Sequence, residues 1–283
     1  MTSISLLHAT HRSPVSPIII RDIWLSRADR PQQIEYIFSM DADDYESIQA
    51  TESELRCIPG ESGTYSTAVR NWNAAAHLST GDLLFVVADD LRPSRGWDTQ
   101  LTQTLMNLNP KNETFAIKIR DSPEPQDTLM RHPIVSRAFF EQYGLFNENF
   151  NGVYCDNDIT LRAFWEAILI DGRSASFEHS HPAINHEVVA SESHAKMNRS
   201  EEYRHGESVL FQLWPQWKIE SGARPILPNR TKMRSRGLLR LRAYVWSLLT
   251  LASIKFPVRR KFLQLRDRAV QSTVYRRIRK AGA

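Results

Sequence analysis

The chain has 283 residues, of which 41% are hydrophobic and 24% are charged, a composition that excludes a disordered chain or a fibrous repeat. Its two cysteines, Cys57 and Cys155, are too few for a disulfide framework and fit no zinc-binding spacing. The longest apolar stretch, Ala243 to Ile254, is too short for a simple membrane-spanning helix, and the first residues do not follow the pattern of a secretory leader. We therefore expect a reduced, cytoplasmic protein.

The net charge of +4 hides a strong asymmetry along the chain. Residues 230–283 hold 16 basic side chains and one acid, a net of +15, whereas residues 1–229 hold 20 basic and 31 acidic side chains, a net of −11. We predict a folded domain over residues 1–228 and a basic, amphipathic helical tail over residues 229–283.

Strands and helices alternate through the first two-thirds of the chain. We predict strands over residues 4–7, 34–40, 55–58, 83–88 and 115–119. Helices are predicted over residues 18–28, 67–78, 97–107, 137–143 and 158–170. This order is typical of an α/β fold with a mainly parallel sheet covered by helices on both faces.

Acidic or polar clusters follow three of the predicted strands: Thr10-His11-Arg12, Asp41 to Asp44, and Asp89-Asp90. In open α/β sheets, ligands bind beyond the carboxyl ends of the strands. Carboxylates gathered at one edge repel each other unless a cation or ligand hydroxyls offset the repulsion, and Mg²⁺ or Mn²⁺ suits one or two carboxylates together with substrate phosphates. The simpler alternative is that Asp89 and Asp90 only begin a turn.

Residues 3–185 resemble the GT-A (Rossmann-like) glycosyltransferases of the large inverting nucleotide-sugar family. In the donor half, about residues 1–110, the resemblance rests on Asn73, Gly81, the apolar strand that ends in Asp89-Asp90, Pro93 and Trp97. In the acceptor half, about residues 111–228, it rests on Gly144 to Phe150, Asp156-Asn157-Asp158-Ile159 and Arg162. Two positions depart from the family pattern: Ala88 replaces the first acid of the DxD motif, and Cys155 replaces a frequent glutamate.

The resemblance implies a metal-dependent inverting glycosyltransferase that uses a nucleoside-diphosphate sugar and Mn²⁺ or Mg²⁺. It implies that Asp156 is the catalytic base and that Asp90 binds the metal. The implied donor-binding residues are Thr10, His11 and Arg12 in the loop after the first strand, and Asp41, Asn73 and Asp89; Asp158 and Arg162 are implied on the acceptor side. A helix start would favour the anionic form of Asp156, which could alternatively be a simple N-cap.

Two histidines, His179 and His181, are further metal candidates. On a strand, a spacing of two places both imidazoles on one face, and neutral imidazole is a good ligand for Mn²⁺. In related enzymes a histidine near this place completes the metal shell. Either histidine taken alone could equally be a core or surface residue.

The basic tail combines Arg and Lys with Trp, Phe and Leu, which is typical of a helix that lies on an anionic membrane surface. We therefore expect a peripheral location on the inner face of a membrane and a glycan or lipid-linked surface-polymer precursor as the acceptor. A solvated basic helix bundle is the alternative. No nucleic-acid-binding motif is present in the sequence, so we do not expect a nucleic-acid partner.

Two other functions compete with a glycosyltransferase. Ala88 and Cys155 favour a degenerate, non-catalytic glycosyltransferase-like module tethered by its tail. Carboxylates at a sheet edge also serve nucleotidyltransferases on similar folds. Such an enzyme would normally carry a glycine-rich phosphate loop with a lysine after its first strand, which residues 8–14 lack.

Overall fold

The computed structural model describes residues 2–59, 67–105, 108–122, 129–166, 168–181 and 199–214. The predicted boundary near residue 228 and the predicted tail over residues 229–283 lie outside the described residues. Within the described part, no helix is long and apolar enough to cross a bilayer. The described residues up to Leu213 belong to one compact unit.

This unit contains eight described strands, seven described α-helices and a short 3₁₀ helix, Pro31–Gln33. The strands are β1 (Ile4–Thr10), β2 (Ile34–Met40), β3 (Arg56–Cys57), β4 (Leu83–Val87), β5 (Leu91–Pro93), β6 (Phe115–Arg120), β7 (Ile134–Ser136) and β8 (Ile168–His179). The helices are α1 (Pro17–Ser26), α2 (Tyr45–Ala50), α3 (Ala68–Leu78), α4 (Trp97–Leu105), α5 (Arg137–Tyr143), α6 (Cys155–Glu166) and α7 (Ser200–Leu213).

The strands form one sheet in the order β3-β2-β1-β4-β7-β6-β8-β5. Four neighbouring pairs are parallel, namely β3 with β2, β2 with β1, β1 with β4, and β6 with β8. Strand β7 is antiparallel to both of its neighbours, and β5 is antiparallel to β8. Six of the eight strands therefore run in one direction, which confirms the predicted mainly parallel α/β fold.

The core lies on both faces of the central strands, and every residue of β4 is buried. This follows from its uninterrupted apolar sequence, which suits a strand covered by helices on both sides. On one face, Trp24, Phe85, Trp97 and Phe177 form an aromatic cluster with ring centroids 5.1–6.4 Å apart. The Trp97 indole N–H donates a hydrogen bond to the carbonyl of Trp24, 3.1 Å away, which fixes α4 against α1.

The predicted helix over residues 158–170 is wrong at both ends. Helix α6 begins at Cys155 and ends at Glu166, and β8 begins at Ile168. The apolar run Ile168-Leu169-Ile170 fits either structure by pattern, but it pairs with β6, where Leu169 lies opposite Ala116. Strands β5 and β7 were not predicted, because three residues are too few to show a periodicity.

Candidate active site

The ends of β1 and β4 bring together two of the predicted donor-binding residues, Thr10 and Asp89. The strands are parallel neighbours with His8 opposite Val87, so the residues that follow lie side by side. The Thr10 hydroxyl donates to Asp89 Oδ2 at 3.1 Å, and Asp89 Oδ1 lies 2.8 Å from His8 Nε2. Thr10 is the last residue of β1 and not part of the following loop, which corrects the predicted end of this strand.

Behind Asp89, the buried His8 ring continues the network to a second buried side chain. His8 Nδ1 lies 2.9 Å from the hydroxyl of Tyr36 on β2. Burial raises the pKa of Tyr36 well above its usual value, so its hydroxyl stays neutral. Asp89 is therefore held in place by two linked buried side chains, those of His8 and Tyr36.

A second polar cluster lies where β1 and β2 end. His11 Nε2 is 3.8 Å from Asp41 Oδ2 and 3.6 Å from Asp43 Oδ1. The guanidinium of Arg12 donates to Asp43 Oδ2 at 3.0 Å. The backbone N–H of Arg12 donates to Asp44 Oδ2 at 2.6 Å. Arg12 adopts a left-handed backbone with φ 47°, a conformation found at functional sites more often than elsewhere. The predicted donor residues His11, Arg12 and Asp41 thus lie together.

Asn73, the remaining predicted donor residue, is engaged elsewhere. Its side-chain amide donates to the carbonyl of Phe146 at 2.9 Å and accepts from the N–H of Phe146 at 3.0 Å. These bonds connect α3 to the segment that follows α5, which gives Asn73 a structural role. A contact between Asn73 and a donor stays a prediction.

Asp90 belongs to a cluster of groups suited to metal ligation, which also contains His132 and His179. One ligand atom from each residue lies within 4.8 Å of the others. Asp90 and His179 meet because β5 pairs with β8: Leu91 lies opposite His179, and the N–H of Ser180 donates to the carbonyl of Asp90 at 2.9 Å. Asp90 Oδ2 is then 3.3 Å from His179 Nε2.

The geometric reason for pairing His179 with His181 does not hold. Strand β8 ends at His179, so His181 lies beyond the strand. Its ring centroid is 5.4 Å from that of His179, but the group of close ligand atoms that contains His179 comprises Asp90, His132 and His179; a second group in the described residues comprises His11, Asp41 and Asp43. A role for His181 as a metal ligand stays a prediction.

Behind His132 lie two buried charged residues that the sequence analysis missed, Lys118 and Asp121. Lys118 Nζ bonds to Asp121 Oδ1, and Asp121 Oδ2 lies 3.2 Å from His132 Nδ1. Burial alone would raise the pKa of Asp121, but the hydrogen bond from His132 and the charge of Lys118 hold that pKa below its usual value. Burial lowers the pKa of His132, so its ring is neutral at pH 7 and can bind a metal.

The predicted base, Asp156, lies in the first turn of α6 and is partly buried. Burial raises its pKa to about 6, although the charge of Arg131 acts in the opposite direction. The expectation that a helix start favours the anionic form is therefore wrong for Asp156, because desolvation outweighs the backbone hydrogen bonds that its carboxylate accepts there. Burial also raises the pKa of the neighbouring thiol of Cys155, which is neutral at pH 7.

The predicted acceptor-side residues, Asp158 and Arg162, form an ion pair with a 2.9 Å separation between Oδ2 and Nε. The Arg162 guanidinium also donates to the carbonyls of Tyr143 and Leu145, at 3.0 and 2.7 Å. These bonds fix α6 to the end of α5 and to the residues that follow it. Contact with an acceptor stays a prediction for both residues.

Several residues of these networks escaped the sequence analysis, and one signal could have found Asp121. It follows β6 directly, just as Asp41 follows β2 and Asp89 comes soon after β4. His8 shows as a polar interruption of an apolar strand. His132 gives no comparable signal, because its neighbour β7 has only three residues.

The sheet and its helices have a GT-A-like fold, the fold of glycosyltransferases whose structures have been solved. Solved structures agree. The chain is similar to residues 1–349 of TarS from S. aureus, with a TM-score of 0.51, 14% identity, and coverage of 77% of this chain and 78% of that one.

Two complexes show the same fold. TarS 1–349 in complex with UDP-GlcNAc matches with a TM-score of 0.50 and 13% identity over 76% of this chain and 73% of that one. The mannosyltransferase PcManGT from Pyrobaculum calidifontis, in complex with GDP-Man and Mn²⁺, matches with a TM-score of 0.50 and 13% identity over 89% of this chain and 73% of that one. No protein-family model and no curated protein sequence matches the chain.

Proposed function

We propose that the protein is a metal-dependent inverting glycosyltransferase that moves a sugar from a nucleoside-diphosphate sugar to a hydroxyl of a glycan or lipid-linked surface-polymer precursor. The observation that carries this proposal is that the two consecutive carboxylates after β4, Asp89 and Asp90, contact different groups of residues. Asp89 turns toward Thr10 and His8, on the side of the predicted donor residues, while Asp90 turns toward His179. The solved neighbours hold UDP-GlcNAc, or GDP-Man with Mn²⁺, on the same fold, which supports a nucleotide-sugar donor.

The residues around Asp90 fit a divalent cation. Asp90 supplies a carboxylate and His179 an imidazole, and the buried His179 Nδ1 has no hydrogen-bond partner among the described residues. A buried nitrogen without a partner is costly, and an ion or a water would satisfy it. When bound, Mn²⁺ or Mg²⁺ supplies positive charge to the departing nucleoside diphosphate.

Asp156 is proposed as the base that takes the proton of the acceptor hydroxyl. As the acceptor oxygen forms a bond to the anomeric carbon, the bond from that carbon to the phosphate oxygen breaks and its electron pair leaves with the nucleoside diphosphate. A pKa near 6 suits this role, because the carboxylate is mostly ionised at pH 7 yet basic enough to accept a proton.

A donor screen tests the proposal. Release of nucleoside diphosphate is measured for UDP-, GDP- and dTDP-sugars with Mn²⁺ or Mg²⁺, in the wild type and in Asp90→Ala, Asp156→Asn and Asp22→Asn. Asp22 is an exposed aspartate on α1 and serves as the matched control. We expect metal-dependent release that Asp22→Asn keeps and the other two variants lose.

Other outcomes would change the assignment. Metal-dependent nucleotide binding without release from any donor would favour the non-catalytic module. Release of pyrophosphate from a nucleoside triphosphate would favour a nucleotidyltransferase.

The charge of the tail supports a further part of the proposal, namely that the enzyme acts at the inner face of a membrane. The +15 charge of residues 230–283 favours an anionic lipid surface. The test is sedimentation of the full chain with vesicles that contain anionic lipid, comparing the wild type with a variant in which Arg259, Arg260 and Lys261 are changed to Gln. We expect weaker sedimentation of the variant, and equal sedimentation would contradict this part.

A further inference from the structure

A buried ion pair lies directly behind the metal-binding cluster. Lys118 is in the middle of β6 and Asp121 follows that strand, and each residue is only 1% exposed. Placing two charges in a protein interior costs free energy that an apolar pair would avoid. Asp121 also contacts the ring of His132, so the ion pair is placed to hold that ring in position.

The two oxygens of Asp121 have separate partners. Oδ1 accepts from the ammonium of Lys118, while Oδ2 accepts from the backbone N–H of His132 at 3.3 Å and lies 3.2 Å from the ring Nδ1. An ionised carboxylate can only accept hydrogen bonds, so Nδ1 of His132 carries the ring proton. When the ring is neutral, its lone pair is therefore on Nε2.

The ring of His132 lies beside Asp90 and His179. The lone pair on its Nε2 is therefore suited to serve as a third metal ligand. The ring centroids of His132 and His179 are 4.6 Å apart, with the rings nearly perpendicular. A carboxylate that accepts from the far nitrogen of a metal-binding histidine is a common second layer of protein metal sites.

We propose that His132 is a ligand of this metal site and that Asp121, held by Lys118, is the positioning residue that presents its Nε2. The inference rests on the proposed metal-dependent function and deepens it. A ligand set of two imidazoles and one carboxylate suits Mn²⁺ and other transition-metal ions, whereas Mg²⁺ prefers oxygen ligands. The site therefore selects Mn²⁺ over Mg²⁺.

The first experiment measures binding of MnCl₂ to the full-length protein without any nucleotide, by the loss of the free-ion EPR signal. Pulsed EPR of the bound ion then detects the ¹⁴N couplings of directly bound imidazoles. The variants are His132→Gln, Asp121→Asn and, as a matched control, His77→Gln, which changes an exposed histidine outside the cluster.

We expect two imidazole nitrogens in the wild type and one in His132→Gln, with Mn²⁺ affinity at least about tenfold weaker in that variant. Asp121→Asn should weaken Mn²⁺ binding about 10- to 100-fold. His77→Gln should bind as the wild type does. In competition with MgCl₂, the wild type should retain Mn²⁺ at equal ion concentrations, and His132→Gln should lose part of this preference.

Unchanged Mn²⁺ affinity and ¹⁴N couplings in His132→Gln would overturn the inference, as would equal binding of Mg²⁺ by the wild type. Because Asp121→Asn could fail to fold, the tautomer of His132 is also read from ring ¹⁵N shifts of the metal-free wild type. Protonation on Nε2 would overturn the role of Asp121.

These results separate the inference from the proposed function. If the protein binds Mn²⁺ through both imidazoles but releases no nucleoside diphosphate, the proposed metal site is supported and the proposed transferase function is contradicted. If the protein is a transferase but its Mn²⁺ binding does not depend on His132, the proposed function is supported and the role of His132 as a ligand is contradicted.

Discussion

Gly206 on α7 packs directly against Tyr154, which precedes α6. A Cβ atom at Gly206 would lie 3.0 Å from Cδ2 of Tyr154 and 2.5 Å from the carbonyl oxygen of Val153. Tyr154 has φ 69°, a left-handed conformation that is rare for a bulky residue. Helix α7 also contacts this region through His205 Nε2, 2.9 Å from the carbonyl of Asn149. The close approach of α7 therefore supports the strained start of the helix that carries Asp156.

Gly206→Ala should destabilise the fold by about 1–3 kcal/mol, because the added methyl group has no room. Glycine to alanine within a helix ordinarily stabilises by roughly 0.5–1 kcal/mol, so the expected sign is reversed. Chemical denaturation measures the free energy of unfolding, with Ser208→Ala on the exposed side of α7 as the control. A more stable Gly206→Ala protein would contradict the packing described above.

The pH dependence of turnover should follow Asp156. Its carboxyl must be ionised to accept a proton, and burial raises its pKa to about 6. At saturating donor and metal, kcat should therefore fall roughly tenfold between pH 7 and pH 5. A pH–rate profile checks this, and a rate that stays constant down to pH 4.5 would remove Asp156 as the base.

Asp156→Asn should make the protein more stable at pH 7 while it abolishes transfer. The raised pKa means that the folded state binds a proton more tightly than the unfolded chain does. The stability contributed by this proton is therefore present below pH 4 and is lost as the pH rises through 6. The difference between the usual 3.8 and about 6 corresponds to roughly 3 kcal/mol at most. Unfolding at pH 7 and pH 3.5 tests this, since the gain should appear only at pH 7.

Asn73→Ala should reduce stability by about 2–4 kcal/mol, because it leaves both backbone groups of Phe146 without their side-chain partner. The exposed Asn112 provides a matched control as Asn112→Ala, which should change stability little. Donor affinity separates the two roles of Asn73. Weaker binding of the sugar nucleotide without a loss of stability would favour the donor contact that the family resemblance implies.

Tyr36→Phe should weaken the network beneath Asp89. The change removes the hydroxyl beside His8 Nδ1 and costs about 0.5–1.5 kcal/mol of stability. We expect the KM for the donor to rise several-fold with kcat nearly unchanged, because His8 then orients Asp89 less well. Tyr45→Phe, at an exposed tyrosine, is the control. Donor kinetics identical to those of the wild type would show that Tyr36 does not orient Asp89.

The order of the main elements could be predicted from sequence because it depends on local patterns. The apolar run of β4 and the capped helix α3 each carry their signal within a few residues. The same patterns placed acids at the ends of β2 and β4, and parallel strands necessarily gather such ends at one edge. At this edge the hydroxyl of Thr10 lies 3.1 Å from a carboxylate oxygen of Asp89.

Contacts between distant segments and the effects of burial were decided only by the tertiary structure. His132 joins the cluster of Asp90 through a loop and a short strand that carry no periodic signal, and the pairing of β5 with β8 brings His179 beside Asp90. Desolvation of Asp156 reverses the expectation drawn from its place at a helix start. Sequence patterns record which residues alternate along the chain, whereas the surroundings of a charge depend on every segment that packs against it.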